Sequence, residues 1–340
     1  MKTLLIYIIK RLGWSLFVLV GLSVLIFTIA RVIPGDPAVM ALGIRATPEA
    51  LEQFRIDNHL NEPLHIQYFH WLSGALRGDL GESSQTRRPV TTDIREFLPT
   101  TLELIFFAAV LEIVLGVLLG VLSSKKAGGV LDNSVRITSY FGIATPSFVW
   151  AILFLLFFAY LWPILPAIGR LSVPPPRNVT GFLLLDSLIA GNFTAFWNAI
   201  THMIMPGTAL ALVGIAQSAR ITRASMLENM NKDYVNLEIA SGIPVRRVMG
   251  RYVLRPSATP TVSIVALDIA AMMGNAFLIE MIFNFPGISR YGIQAIMHKD
   301  LNAIVAVVLI IGITFLVANI VVDIIVAYLD PRVRLQGGDK

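Results

Sequence analysis

Three carboxylates stand where a carboxylate is costly. Glu112, Asp268 and Asp323 each interrupt an apolar run long enough to cross a membrane, and an acid at such depth persists only against water, a partner or protein interior. Asp268 lies about nine residues into its run, near mid-depth at roughly 1.5 Å of rise per residue. Asn275 follows seven residues on and falls near the same helical face. Two chemistries fit Asp268: a transient contact for an ammonium group moving along a pathway, or a structural hydrogen bond or ion pair with a second chain. Glu112, which can pair within a bundle, and Asp323, close to the end of its run, read as structural. His59, His65 and His70 are spaced by 6 and 5 residues, which puts no pair on one helical turn, so no metal site is expected. Cysteine is absent, which excludes disulfide and thiolate chemistry. No phosphate-cradling GxxxxGK(S/T), no HExxH and no GxSxG occurs, so no catalytic residue and no cofactor is expected. By elimination the chain is a conduit or a membrane anchor.

The other concentration of reactive side chains is basic. Lys232–Pro260, KDYVNLEIASGIPVRRVMGRYVLRPSATP, reads as helix, glycine turn, helix. Tyr234–Ser241 can continue a helix from Arg223, Gly242 can take the positive φ that ends it, and Pro244 suits the first turn of the next. Arg246, Arg247, Arg251 and Arg255 follow. The last three recur every fourth residue and share a flank, while Val245, Val248, Met249 and Tyr252 gather on the other. Pro256 is expected to end this second helix at about Arg255. A basic hairpin between two apolar runs is either a handle for a cytoplasmic partner or a loop lying against anionic headgroups.

These residues must be positioned by membrane-spanning helices. A mean hydropathy of +0.71 is too apolar for a soluble domain of 340 residues. Six runs each supply roughly the twenty apolar residues a span needs: Leu12–Ala30, Leu104–Leu122, Ile137–Leu161, His202–Ala219, Thr259–Ile279 and Ala303–Tyr328. The third contains Pro146, expected as a kink, and stops before Pro163 and Pro166. Between the first two runs lies a polar block, Pro34–Leu98, in which Pro34–Pro37 reads as a turn and Thr47, Pro48, Glu49 and Glu52 as a helix start. The organisation expected is residues 1–33 as a tail and first span, 34–98 as a small helical subdomain outside the membrane, and 99–340 as a five-span core with a cytoplasmic loop at 220–258.

The basic residues orient the chain. Lys2, Lys10, Arg11, Lys125, Lys126, Arg136, Arg220, Arg223, Lys232, the four arginines of the hairpin, Arg332, Arg334 and Lys340 all fall on one side if both termini are cytoplasmic. The shorter opposite loops hold only Arg170, Arg177, Arg290 and Lys299. In the long 34–98 block acids outnumber bases, and long domains cross regardless of charge.

RVIPGDP (31–37), RGDLGESSQTRRPV (77–90), LPTTLEL (98–104), HMIMPGTALAL (202–212), ARITRASMLENMNKDYV (219–235) and NFPGISRYGIQAIMHKD (284–300) resemble, in this order, the permease subunits of bacterial dipeptide/oligopeptide/nickel ABC importers. The likeness covers nearly the whole chain and is to the first permease of the pair, which has a large outer loop after span one. It implies an all-α type I importer permease in the bacterial inner membrane. The implied partners are a second permease, two cytoplasmic ATPase subunits and an extracytoplasmic peptide-binding protein, with no role for nucleic acid. The hairpin then corresponds to the family's ATPase-docking loop, with Gly242 at the loop glycine and Pro260 at the closing proline. Asn236, Leu237 and Glu238 stand where Glu-Ala-Ala stands in the general pattern. The resemblance assigns coupling to Tyr234, Glu238, Ala240, Gly242, Ile243, Pro244, Arg246 and Arg247. The implied cargo is a dipeptide or short oligopeptide; a nickel chelate, glutathione or another small solute are alternatives. An ion-coupled secondary transporter is the rival class, and no inverted repeat supports it.

Overall fold

The structure is a computed structural model that describes residues 2–32, 36–43 and 45–329. Pro34, Gly35 and the C-terminal Arg332, Arg334 and Lys340 lie outside these. Helix α1 (Lys2–Val32) carries the first apolar run, and three short helices follow: α2 (Pro37–Leu42), α3 (Pro48–Asp57) and α4 (Leu64–Leu76). Asp36 caps α2 by accepting from the Ala38 N–H at 2.9 Å, and Thr47 caps α3 by accepting from Ala50 at 3.3 Å. Aromatic rings fasten α4 to the first span: Phe27 lies 5.4 Å from Tyr68 and 5.7 Å from Trp71, and Ser23 shares a hydrogen bond with Tyr68.

The second apolar run belongs to a helix that begins inside the polar block. Helix α5 (Val90–Leu111) passes through a π-helical turn (Glu112–Gly116) into α6 (Val117–Ser124). The third run is broken. Helices α7 (Val130–Ala144) and α8 (Ser147–Phe154, extended by a π turn at Leu155–Leu161) meet at 106°. The kink expected at Pro146 is therefore a full break: Thr145, forced out of the helical region before the proline, sits at φ −100°, ψ 123°. After α9 (Leu183–Ile189) comes α10 (Phe193–Met230), 38 residues long and the axis of the molecule. Then follow α11 (Asp233–Ala240), α12 (Val245–Arg247) with a π turn (Val248–Val253), α13 (Leu254–Ile282), α14 (Ile288–Met297) and α15 (Leu301–Leu329). Among the described residues, five helices can cross a membrane by length and composition, and up to six with the bent pair counted as one span.

Helix α10 is approached closely where the segment beside it carries glycine. A Cβ on Gly116 would meet Ser218 Cβ at 2.7 Å, and one on Gly120 would meet Thr222 Cβ at 2.5 Å. The 116/120 glycines thus bring α6 against α10 at backbone distance, the geometry that substitutes for hydrophobic force between helices in lipid. Leu104, Met203, Met205, Leu210, Met272 and Ile279 fill the main core between α5, α10 and α13. Helix α15 packs against α1, α13 and α14.

Buried acids hold the loops before α5, before α9 and between α14 and α15. Asp300 accepts from Ser83 Oγ at 2.5 Å and from the Gln85 N–H at 3.2 Å, and Asn302 donates to the Glu82 carbonyl. Asp93 takes Thr86 at 2.7 Å and pairs with Arg88. Glu103 receives Arg170 at 2.5 Å and the Leu184 N–H at 2.6 Å.

Candidate functional site

The glycine turn of the basic hairpin forms where the sequence reading has it, but its first arm does not continue the helix from Arg223: α10 ends at Met230, and α11 starts anew at Asp233 after a turn at Asn231 and Lys232. Helix α11 ends in a Schellman motif: Gly242 takes φ +82°, its N–H donates to Ile239 O at 3.0 Å, and the Ile243 N–H donates to Glu238 O at 3.2 Å. Glu238 thus enters the turn through its backbone carbonyl. Pro244 precedes α12 as a helix-entry residue. A small core of Met226, Val235, Val248 and Val253, flanked by Val121, Met230, Ile243 and Tyr252, fixes the hairpin to the ends of α6, α10 and α13. The hairpin is therefore packed onto those helices and does not hang free as a loop.

Two expectations about the second arm change. Pro256 does not end it, because the chain runs through Pro256 as α13. The π turn at Val248–Val253 lies just ahead, and the carbonyl of Tyr252, four residues before the proline, would lack a donor. Tyr234 Oη donates to it at 3.2 Å and also lies 3.3 Å from Asn229 Oδ1. Asn229 Nδ2 in turn donates to Ser257 Oγ at 3.0 Å, and Ser257 donates to Val253 O at 2.7 Å. The second change concerns Val245. It is not on the apolar flank with Val248, Met249 and Tyr252 but is 58% exposed at the tip, since α12 has only begun there. The π turn also shifts the register between Arg247 and Arg251, although Arg246, Arg247, Arg251 and Arg255 are all exposed.

The tip is accordingly apolar in the middle and cationic at the edge. Leu237 (66% exposed), Ile239, Ala240, Pro244 and Val245 face outward beside Arg246 and Arg247.

The intramembrane acids separate. Glu112 sits in the π turn with no exposed surface and accepts from Ser218 Oγ at 3.0 Å. Gly214 provides its space, because a Cβ there would collide with the carboxylate. Asp268, on α13, is its neighbour. It takes a long contact of 3.5 Å from Gln217 Nε2, and one oxygen of each acid is buried without a hydrogen-bond donor. Asp268 is half-buried on the flank of a face of α13 that runs Leu267, Ala271, Gly274, Asn275 and Leu278, all exposed. Asn275 is thus accessible on the face expected.

Glu280 is a buried acid that the sequence reading passes over. It is fully buried at the C-terminal end of α13, where it accepts from Thr101 Oγ at 2.5 Å and from the Arg290 N–H at 3.0 Å. Thr101 also accepts from the Ile288 N–H at 2.8 Å. The acid therefore ties α5, α13 and the start of α14 together, and Gly287 leaves room for it. The usable signal was an acid four residues before the NFPG turn.

A bundle of apolar helices around a long axis, with an exposed, packed hairpin on one end and helical loops on the other, is the architecture of a membrane permease component. The chain matches the family described as binding-protein-dependent transport system inner membrane component over residues 112–335, and the N-terminal family of such membrane components over residues 4–105. It belongs to that family. It is 36% identical over 336 residues to a probable D,D-dipeptide transport system permease protein of Escherichia coli, covering 98% of each chain. A dipeptide transport system permease protein of Alkalihalophilus pseudofirmus is 34% identical over 332 residues, covering 97% of this chain and all of the relative. The dipeptide transport system permease protein of E. coli is 31% identical over 333 residues, covering 96% and 98%.

Proposed function

We propose that this permease carries dipeptides or short oligopeptides inward as one half of a gate, paired with a second permease and driven by two cytoplasmic ATPase subunits. An extracytoplasmic binding protein would deliver the peptide. The observation that carries the reading is the hairpin tip: an exposed apolar patch edged by Arg246 and Arg247, on a mount packed against the end of α10 and running on into α13. Such a patch in water marks a protein contact, and its mount would transmit a push from an ATPase into two spans. In this arrangement residues 220–258 are the coupling loop, both termini are cytoplasmic, 34–98 form the extracytoplasmic subdomain, and the remainder of 99–340 is the membrane core. Tyr234, Glu238, Ala240, Gly242, Ile243 and Pro244 shape the coupling hairpin. Asp268 and Asn275 lie on the α13 face that would border the pathway or the second permease. The names of the relatives support a dipeptide cargo.

The test is reconstitution of the chain with its neighbouring transport subunits in vesicles supplied with binding protein and labelled dipeptide. Uptake should require ATP and survive collapse of ion gradients. Uptake driven by an ion gradient without nucleotide would place the chain among secondary transporters.

A further inference from the structure

Spacing alone gives no reason to group the histidines of the 34–98 block, yet the fold brings two of them together around an acid. His59 Nδ1 lies 3.0 Å from Glu62 Oε1, and His70 Nε2 lies 3.6 Å from Glu62 Oε2. The donor atoms of all three residues fall within 4.8 Å of one another. The two imidazole rings stack at 4.0 Å.

The arrangement is built rather than incidental. Helix α3 ends in a Schellman motif, with His59 N–H to Ile56 O at 3.1 Å and Leu60 N–H to Arg55 O at 2.8 Å. Its left-handed position, φ +56°, is occupied by histidine where glycine would be unstrained. That conformation turns the His59 side chain toward α4. The loop carrying Glu62 is pinned from below by Gln67, a buried residue of α4 that donates to Glu62 O at 2.7 Å and Leu60 O at 3.1 Å. Three residues from the end of one helix, a turn and the next helix are thereby held at fixed separations. Glu62 Oε2 is nevertheless buried without a hydrogen-bond donor.

We infer that His59, Glu62 and His70 form a binding site for a divalent transition-metal ion of the zinc class. Two imidazole nitrogens and one carboxylate oxygen are an established ligand set for such ions, with water completing the coordination. Metal–ligand distances of about 2.0–2.2 Å require donors about 3.4 Å apart, close to the 3.0 and 3.6 Å already present. Parallel rings cannot aim both lone pairs at one ion, so one imidazole must turn about its Cβ–Cγ bond. Both side chains are roughly half exposed and free to do so. Bound metal would supply the missing partner of Glu62 and staple α3 to α4. His65, exposed and outside the cluster, has no part in it.

The experiment uses the full chain purified with its partner subunits in lipid nanodiscs, stripped with chelator and titrated with zinc chloride against a chromophoric chelator. Wild type should bind one zinc more than the Glu62→Gln and His70→Asn complexes, or bind it at least about tenfold more tightly, with His65→Asn equal to wild type. Equal binding by wild type and both cluster variants would overturn the site, as would failure of the wild type to take up zinc. Should the variants not assemble, the zinc X-ray absorption spectrum of the wild type decides: two imidazole ligands with oxygen support the site, and oxygen alone refutes it.

Discussion

At the scale of single residues, the hairpin proposed to couple to an ATPase rests on one backbone conformation and one hydroxyl. Gly242 has no atom within 4 Å of where a Cβ would stand, so only its φ of +82° restricts what can replace it. Gly242→Ala should cost about 1 kcal/mol and leave partial uptake. Gly242→Pro can neither adopt that φ nor donate to Ile239 O, and it should abolish uptake while the complex still assembles and hydrolyses ATP. Unchanged dipeptide uptake in the proline variant would remove the hairpin from the mechanism. Tyr234 satisfies a carbonyl that Pro256 leaves open. Tyr234→Phe should therefore loosen the α11–α13 joint by about 1 kcal/mol, read as faster hydrogen exchange in 248–257. Asp268 already has Gln217 and Glu112 as neighbours. If it also contacts cargo, Asp268→Asn should reduce uptake of cationic peptides more than that of neutral ones, by several-fold in initial rate. Equal losses for both would assign it a purely structural part.

At the scale of elements, the close contact of α6 with α10 is a sharper dependency than any apolar packing in the bundle. Gly120→Leu must displace Thr222 or separate the helices, an overpacking cost of at least about 1–3 kcal/mol. The same change at Gly21, which meets nothing within 4 Å, should be tolerated. Detergent extraction followed by size-exclusion chromatography should show aggregated Gly120→Leu and a normal Gly21→Leu complex. Equal elution of the two variants would show that the contact does not govern assembly. The contrast also marks what a sequence reveals. The apolar runs, the glycine turn at 242 and the cap at Thr47 were legible because each depends on residues a few positions apart. The helix through Pro256 was not, since the group that satisfies the open carbonyl lies 18 residues away on another helix. The pairing of Glu112 with Asp268 and the anchoring of Glu280 by Thr101 likewise needed helix–helix contacts that no local pattern encodes. The His59, Glu62, His70 cluster depended on a left-handed turn at a residue that rarely takes one. The 116/120 glycine pair could have been read and was passed over.

At the scale of the whole molecule, the hairpin and the outer loops must stand on opposite sides of the bilayer if force applied at one end is to open a path at the other. The absence of cysteine makes this directly measurable, since a single introduced thiol is the only one on the chain. Val245 at the hairpin tip is 58% exposed and Val179 in the loop before α9 is 60% exposed, so both can be modified without unpacking a core. With a membrane-impermeant maleimide, Val179→Cys should react in intact cells with permeabilised outer membranes. Val245→Cys should react only in inside-out vesicles. If the apolar tip is the seat of an ATPase, the Val245 thiol should react at least about tenfold more slowly when the ATPase subunits are co-expressed, whereas the Val179 thiol should keep its rate. Labelling of position 245 from outside would invert the topology and end the coupling proposal. Labelling from inside with no protection by the ATPase subunits would keep the topology but take the docking surface away from the tip. The two failures are distinguishable because sidedness tests how the chain is threaded, and protection tests what covers one end of it.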